Sequence, residues 1–228
     1  MSRRTAAWVA WLLCAACVGL IALALLLDFL TENDPIPEAR PDFGFALLAG
    51  VLSLAYPAVG ALIVSCLPTN FIGWYFCGVG LLFAMQRVIV SYADYALLAN
   101  IALPGGEYVA WFATWAWFAI PTSAVFLMLL FPRGLLPSRR WRAVAWVTLC
   151  GAALTALGNM FMPQQLPSHP YVDNPFGVVG VIGIGFTSYD LFGASIVLGM
   201  ALLATSTLAA LLSLVVRLRG ARGINASR

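Results

Sequence analysis

The chain alternates between six long apolar runs and shorter polar stretches. A helix needs about 20 mostly apolar residues to cross the hydrocarbon core of a bilayer, and each run reaches that length. Lipid offers no hydrogen-bond partner to a free backbone group, so each run should be helical. The pattern predicts an all-α, polytopic membrane helical bundle with six transmembrane helices, at about 6–27, 43–66, 71–93, 108–131, 141–162 and 191–216.

A seventh apolar stretch, residues 175–187, is too short to cross the membrane. We expect it to form a short interfacial or re-entrant segment that packs closely through its glycines. The spacing of these glycines is not that of a GxGxxG nucleotide loop. They are Gly177, Gly180, Gly183 and Gly185. Residues 1–228 are predicted to form a single integral-membrane domain.

The first apolar run follows Ser2-Arg3-Arg4, which resembles the start of a twin-arginine signal peptide. However, the run extends far beyond the roughly 7–15 apolar residues of a signal peptide, and no clear cleavage site follows it. We therefore expect residues 6–27 to be an uncleaved first helix.

Composition places the whole chain in the membrane class. Of its 228 residues, 62% are hydrophobic and 9% are charged, whereas soluble domains are roughly half apolar and about a quarter charged. The net charge of +3 is small and does not suggest a nucleic-acid partner. The five cysteines lie in or beside apolar runs, and the single histidine has no metal-ligand spacing with them. We expect the cysteines to be packing residues, and we expect no metal, cofactor or catalytic site.

Charged residues are segregated between alternate loops. Arginines precede the first helix, cluster between the fourth and fifth helices, and follow the sixth, whereas residues 28–42 hold five acidic residues and one arginine. The positive-inside rule therefore places both termini and the fourth connection in the cytoplasm. Arginines there would also contact anionic lipid headgroups, at about 1 kcal/mol each. The positions predicted to set topology or to take part in signalling are Arg133, Arg139, Arg140, Arg142, Arg217, Arg219 and Arg222.

Few polar residues interrupt the predicted helices. Arg87 is one, and an ionisable residue inside a membrane span is by default functional. It lies near the predicted outer end, however, where its side chain can snorkel. Asp94 lies two turns further on a similar helix face, so the two could share one electrostatic field. Both structural anchoring and a ligand or signalling role stay open for this pair, and Pro57 and Pro121 are expected to kink their helices.

Several short motifs occur in order along the chain. The longest, FPRGLLPSRRWR at 131–142, ends one helix with proline and glycine and restarts another with Ser138 as the expected N-cap. The others are NFIGW at 70–74, YADYAL at 92–97, AW at 110–111 with WAW at 115–117, NPFG at 174–177 and RLRGARG at 217–223. The ordered set resembles the N-terminal membrane region of sensor histidine kinases from actinobacteria and Chloroflexi-type bacteria.

The resemblance implies a multi-pass sensory or signal-input module in the bacterial cell membrane, that is, the inner, cytoplasmic membrane. In that family the basic run is followed by cytoplasmic signalling domains. This chain contains neither a phosphoacceptor histidine in a dimer helix nor an ATP-binding lid. The module is therefore expected to be non-enzymatic, and to act with a histidine kinase domain in cis or in trans, or as a homodimer.

Two other functions are the alternatives. A small transporter or channel-like protein is compatible with six helices, although ion transport usually uses intramembrane charges, which are nearly absent here. A membrane enzyme would need ionisable side chains clustered at one depth. His169, Asp173 and Asp190 share the last predicted outer loop and are the candidates for such a cluster.

Overall fold

The structure is a computed structural model and describes residues 2–31, 43–98, 103–131, 134–136, 138–180 and 186–225. Within these ranges the chain forms helices and a short hairpin. In chain order the elements are α1 (Arg3–Leu30), α2 (Phe43–Ser53), α3 (Ala55–Cys66), α4 (Phe71–Leu98), α5 (Gly106–Ala116), α6 (Ala119–Leu130), α7 (Trp141–Phe161), β1 (Gln165–Leu166), β2 (His169–Asp173) and α8 (Ser188–Asn225).

Six segments in the described part of the chain are long and apolar enough to cross a membrane, as the sequence predicted. They are Arg3–Leu30, Gly44–Cys66, Phe71–Leu98, Gly106–Leu130, Trp141–Phe161 and Ser188–Val215. Several extend beyond the apolar runs, because helical hydrogen bonding continues into the polar residues at their ends. At the start of α1, Ser2 acts as the N-cap and accepts a hydrogen bond from the amide of Thr5 at 3.1 Å.

Two of these segments are each divided into two helices. Leu54 separates α2 from α3, and Trp117 and Phe118 separate α5 from α6. Each interruption precedes a proline, Pro57 or Pro121, by three or four residues. A proline ring carries no N–H and clashes with the carbonyl four residues earlier. The helical pattern is therefore lost one turn before each proline.

Hydroxyl side chains satisfy backbone carbonyls near both interruptions. Ser53 donates to the carbonyl of Gly50 at 2.6 Å. After the second interruption, Thr122 donates to the carbonyl of Phe118 at 2.7 Å. Membrane helices tolerate proline because such side chains can bond the freed backbone groups.

The two ends of the bundle differ in chemistry. We call one the basic end, because Arg3 at the start of α1 meets the end of α3 there, donating from Nε to the carbonyl of Ser65 at 3.1 Å. The opposite end carries the antiparallel β1–β2 hairpin and is called the hairpin end. The hairpin was not predicted, since its strands are too short to show an alternating pattern.

Close helix packing depends on small residues. A Cβ added at Gly60 on α3 would lie 2.7 Å from the backbone nitrogen of Cys77 on α4. A Cβ at Gly199 on α8 would lie 2.3 Å from Oγ1 of Thr155 on α7. Small residues let membrane helices approach one another closely. Helix α1 likewise buries a stripe of mostly small residues against its neighbours: Ala6, Ala10, Cys14, Cys17, Ile21, Ala24 and Asp28.

All five cysteines are free thiols. Cys14, Cys17 and Cys77 are buried between helices, as expected of packing residues, whereas Cys66 and Cys150 are exposed. Exposed thiols on membrane helices are not packed inside the bundle, so the packing interpretation applies to the three buried cysteines.

The predicted 175–187 segment is described only in part. Residues 177–180 have no regular secondary structure, and Val179 is 87% exposed. A Cβ at Gly177 would lie 3.1 Å from Cα of Pro163, so this glycine is closely packed as expected. The expectation is wrong for Gly180, whose added Cβ would meet no atom of the described residues within 4 Å, because Gly180 is exposed. Gly183 and Gly185 lie outside the described residues.

Candidate functional site

A buried ion pair joins α1 to α4 towards the hairpin end. Nη2 of Arg87 donates to Oδ2 of Asp28 at 2.5 Å, and the two side chains are 23% and 8% exposed. Asp28 is the last member of the buried stripe on α1, which directs its carboxylate onto α4. A buried charge that loses its partner is strongly destabilising. The pair therefore ties α1 and α4 together in one register.

The hairpin is fastened to α4 through Asp94. The hydroxyl of Tyr171 donates to Oδ1 of Asp94 at 2.9 Å, and Nε2 of His169 lies 3.3 Å from the same oxygen. His169 and Tyr171 are two residues apart on β2, so their side chains lie on one face of the strand. His169 is fully buried. A pair of side chains from the hairpin thus meets one carboxylate of the bundle.

The same cluster continues to α5. Nδ1 of His169 lies 3.0 Å from Oγ of Ser168, which shares a hydrogen bond of 2.7 Å with Oγ1 of Thr114. Thr114 also donates to the carbonyl of Ala110 at 2.9 Å. We call Asp94, Thr114, Ser168, His169 and Tyr171 the hairpin network. It joins α4, the hairpin and α5 by side-chain hydrogen bonds.

Proton directions within the hairpin network follow from its donors. A hydroxyl has one proton, so with the Thr114 proton directed to Ala110, Ser168 must donate to Thr114. Nδ1 of His169 lies beside Ser168, and the other ring nitrogen, Nε2, faces the carboxylate of Asp94.

The two ionisable residues that were expected to share one field each contact a partner from another element of the fold. Arg87 pairs with Asp28, and Asp94 is bonded by the hairpin. These partners come from α1 and β2, which lie far away in the chain, and a field shared by Arg87 and Asp94 stays a prediction. Sequence reasoning missed Asp28 and Tyr171. Only Asp28 has a local signal, since it continues the spacing of the small residues buried on α1.

The candidates for a catalytic group do not converge. His169 is buried against Asp94, whereas Asp173 is exposed at the end of β2. Asp190 accepts hydrogen bonds from the amide and hydroxyl of Thr187, at 2.9 and 2.7 Å, in a capping arrangement at the start of α8. Across the described residues, no three or more His, Cys, Asp and Glu side chains form a group that could hold a metal ion.

Arg217 caps α6 at the basic end. Its guanidinium donates from Nη2 to the carbonyl of Met128 at 2.7 Å, and from Nη1 to the carbonyls of Leu129, at 3.3 Å, and Phe131. The last carbonyls of a helix have no intrahelical partner, so one side chain of α8 satisfies the end of α6. Burial lowers the pKa of Arg217 from its usual value by desolvating the guanidinium. We call this contact the Arg217 clamp.

The other predicted arginines differ from Arg217. Arg139, Arg140 and Arg142 are exposed around the start of α7, where they can reach solvent or lipid headgroups. Arg133 lies outside the described residues. The remaining two, Arg219 and Arg222, lie on the last turns of α8, and their side chains are outside the described part.

The prediction of Ser138 as an N-cap is wrong. Helix α7 begins at Trp141, and its N-cap position is Arg140, with no side-chain cap bond. The carbonyl of Ser138, not its hydroxyl, accepts from the amide of Trp141 at 3.1 Å. Residues 138–143 form successive bonds of the tighter i to i+3 type, which places the serine one turn too early to cap.

Other motif residues also mark helix ends. Gly134 adopts φ 72°, and its amide donates to the carbonyl of Leu130 at 2.7 Å, which closes α6. Asn70 accepts from the amide of Ile72 at 2.8 Å and caps α4. Asn174 donates to the carbonyls at the end of α7, including that of Met162 at 2.9 Å. These residue types are therefore explained by the turns and caps that they form.

No protein-family model, no curated protein and no solved structure matches this chain. The geometry of the two ends of the bundle and the motif resemblance are therefore the features that bear on function.

Proposed function

We propose that the chain is a membrane sensory or signal-input module of the bacterial inner membrane, with its basic end in the cytoplasm. The observation that carries the proposal is the continuity of α8 from one end of the bundle to the other. This single helix of 38 residues starts beside the hairpin end, crosses the bundle and continues ten residues beyond its membrane-length part, Ser188–Val215. At about 1.5 Å per residue it is about 57 Å long. It connects the two ends without an interruption.

At the hairpin end, the β1–β2 hairpin is an element that can take two positions on the helices beneath it. The hairpin is joined to α4 and α5 through the hairpin network, and its apolar residues Leu166 and Val172 pack on Ala93 and Ala110. A stimulus that changes the hydrogen bonds of this network would change how the hairpin sits on these helices. A ligand shifts such an equilibrium only through different interactions with the two arrangements.

The basic end contains a contact that a movement of α8 or α6 would change. The Arg217 clamp fixes the rotational position of α8 against α6, and α6 is the half of its segment that follows the Pro121 interruption. A shift of α8 or α6 must break or rebuild these bonds. The exposed arginines around α7 hold the same end against anionic headgroups. Beyond the clamp, α8 continues as a basic helix suited to a cytoplasmic partner.

A histidine kinase domain, attached in cis or bound in trans, is the proposed partner, because the ordered motifs resemble the membrane region of such kinases. A homodimer is the further possibility for the module itself. The chain is proposed to act by changing the helix position that it presents to the kinase, without catalysing a reaction.

The first measurement is the mass of the product, tagged at its N-terminus at the native locus and analysed in isolated membranes. If the product has a mass near 24.4 kDa, the kinase is sought as a separate protein that binds in trans. In that case a photoreactive amino acid replaces Asn225, and the crosslinked kinase is identified by mass spectrometry. A larger species directs the same kinase assay to the whole protein.

The decisive readout is kinase autophosphorylation in those membranes. Arg217→Gln should change it by about fivefold or more, the scale of an ordinary allosteric coupling. Arg4→Gln removes an equally charged but exposed arginine that lies outside the set predicted for signalling, and it should leave autophosphorylation unchanged. The proposal is wrong if no kinase is attached or captured and deletion of the gene leaves phosphorylation of every response regulator unaltered.

A further inference from the structure

A cavity of about 520 Å³ lies between α4, α5, α7 and α8, below the hairpin. This volume falls within the roughly 300–1,000 Å³ of ordinary small-molecule sites. Met200, one of its lining residues, lies twelve residues after the start of α8. The cavity therefore reaches about 18 Å along the helix axis from the hairpin end, which is well inside the membrane-length part of the bundle.

The wall of the cavity is uncharged and mainly apolar. Its lining contains no Asp, Glu, Arg, Lys or His residue, as far as the chain is described. Aliphatic and aromatic side chains form most of the surface, among them Val90, Trp117, Phe118, Ile196 and Met200. A charged ligand would lose its hydration here without gaining a counter-charge, so the occupant should be uncharged and lipophilic.

Two of the lining residues can mark the place of a polar group on that occupant. Asn159 is 8% exposed and donates from Nδ2 to the carbonyl of Thr155 at 2.8 Å, while its Oδ1 meets no donor from the described residues. Gln86 likewise donates from Nε2 to the carbonyl of Ala113 at 2.9 Å, with no described donor for its Oε1. Both oxygens are at least partly accessible, and an acceptor that an apolar occupant covers without supplying a donor is costly. A hydroxyl proton would satisfy either one.

The cavity also has an entrance and a connection to the hairpin network. Trp117 and Met200 line it and yet are 45% and 52% exposed, so its wall is open towards the outside of the bundle at these side chains. Thr114 and Ser168 belong to both the cavity and the hairpin network. An occupant would therefore enter from the lipid phase and touch the side chains that hold the hairpin.

We propose that this cavity binds an uncharged lipophilic alcohol, whose hydroxyl donates to the amide oxygen of Asn159, with Gln86 as the second acceptor on the α4 wall. That the alcohol is also the stimulus rests on the proposed sensory function. Binding itself does not, and it is tested without any kinase.

The test uses the purified full chain in phosphatidylcholine nanodiscs. The probe is a photoreactive long-chain alcohol with a diazirine on its chain, and the control probe is the same chain without the hydroxyl. The alcohol should label the α4 and α8 walls in a saturable manner, and unlabelled alcohol should compete. The hydrocarbon should give only unsaturable labelling of lipid-facing side chains.

Paired variants locate the site. Met200→Trp fills the cavity and should abolish saturable labelling, whereas Val197→Trp, on the same helix but 70% exposed and not lining the cavity, should retain it. Asn159→Leu should weaken binding by about two- to tenfold, the usual effect of one hydrogen bond. Gln86→Met should have a similar or smaller effect.

The proposal is overturned if labelling never saturates, if the two tryptophan variants label alike, or if Asn159→Leu retains full affinity. Should Met200→Trp fail to fold, the Asn159 and Gln86 variants decide. Because no signalling output is measured, a failure here leaves the sensory function to its own test. A protein that binds the alcohol but alters no kinase would instead contradict the sensory function alone.

Discussion

Replacing Gly199 with alanine should loosen the contact between α7 and α8. A Cβ at this position would lie 2.3 Å from Oγ1 of Thr155, 2.6 Å from the carbonyl oxygen of Gly151 and 2.7 Å from the backbone nitrogen of Thr155. Optimal contacts are at about 3.5–4.0 Å, and two of these three atoms are backbone atoms, which cannot rotate away. The helices must therefore separate, and overpacking of this kind costs about 1–3 kcal/mol.

Helix propensity acts in the opposite direction, because alanine is favoured over glycine by up to about 1 kcal/mol in a helix interior. We therefore expect Gly199→Ala to lower the free energy of unfolding by about 0–2 kcal/mol, and to be less stable than a matched glycine-to-alanine control by about 1–3 kcal/mol. Gly193 is the matched control on the same helix. The nearest atom to a Cβ there is Cε of Met162 at 3.8 Å, so Gly193→Ala should be neutral or stabilising.

Equilibrium unfolding in mixed micelles with increasing SDS measures both free energies. In a Thr155→Ala background the hydroxyl is absent but the two backbone contacts persist, so only part of the Gly199→Ala cost should be recovered. If Gly199→Ala is as stable as Gly193→Ala, the close approach of α7 and α8 is refuted. Complete recovery in the Thr155→Ala background would refute the part of the reasoning that assigns the cost to the backbone.

Two further predictions concern the polar contacts at the hairpin end. Tyr171→Phe removes the hydrogen bond to Asp94 and should increase amide hydrogen exchange in β2 by about tenfold or more, since bonds to charged groups contribute about 1.5–3 kcal/mol; Tyr189→Phe, an exposed tyrosine, should leave this exchange unchanged, and equal exchange in both variants would contradict the anchoring. Arg87→Leu removes the arginine partner of Asp28 and should destabilise the fold by up to about 3–5 kcal/mol, less where the partly exposed arginine is solvated. The double variant Arg87→Leu/Asp28→Leu should recover most of that stability in the same unfolding assay, and no recovery would contradict the pairing.

The sequence by itself determined the class of the fold. Six runs of apolar residues had to become helices, because a backbone in lipid must satisfy its own hydrogen bonds. The helix interruptions before Pro57 and Pro121 also follow from the sequence. A proline has no backbone N–H donor, and its ring clashes with the carbonyl four residues earlier. Buried stripes such as that of α1, and the asparagine that caps α4, Asn70, are likewise local, so their signals lie within a few residues.

Only the tertiary structure decided which polar groups meet. Asp28 and Arg87 are 59 positions apart, Asp94 and Tyr171 are 77 apart, and Arg217 reaches carbonyls up to 89 positions away. Nothing local relates such partners, because a polar side chain inside a bundle takes whichever partner the neighbouring helices bring to its depth. The same holds for the cavity, whose wall is assembled from four helices, the turn of the hairpin and the connection between α5 and α6. The sequence could therefore predict that these groups need partners, and the helix packing selected them.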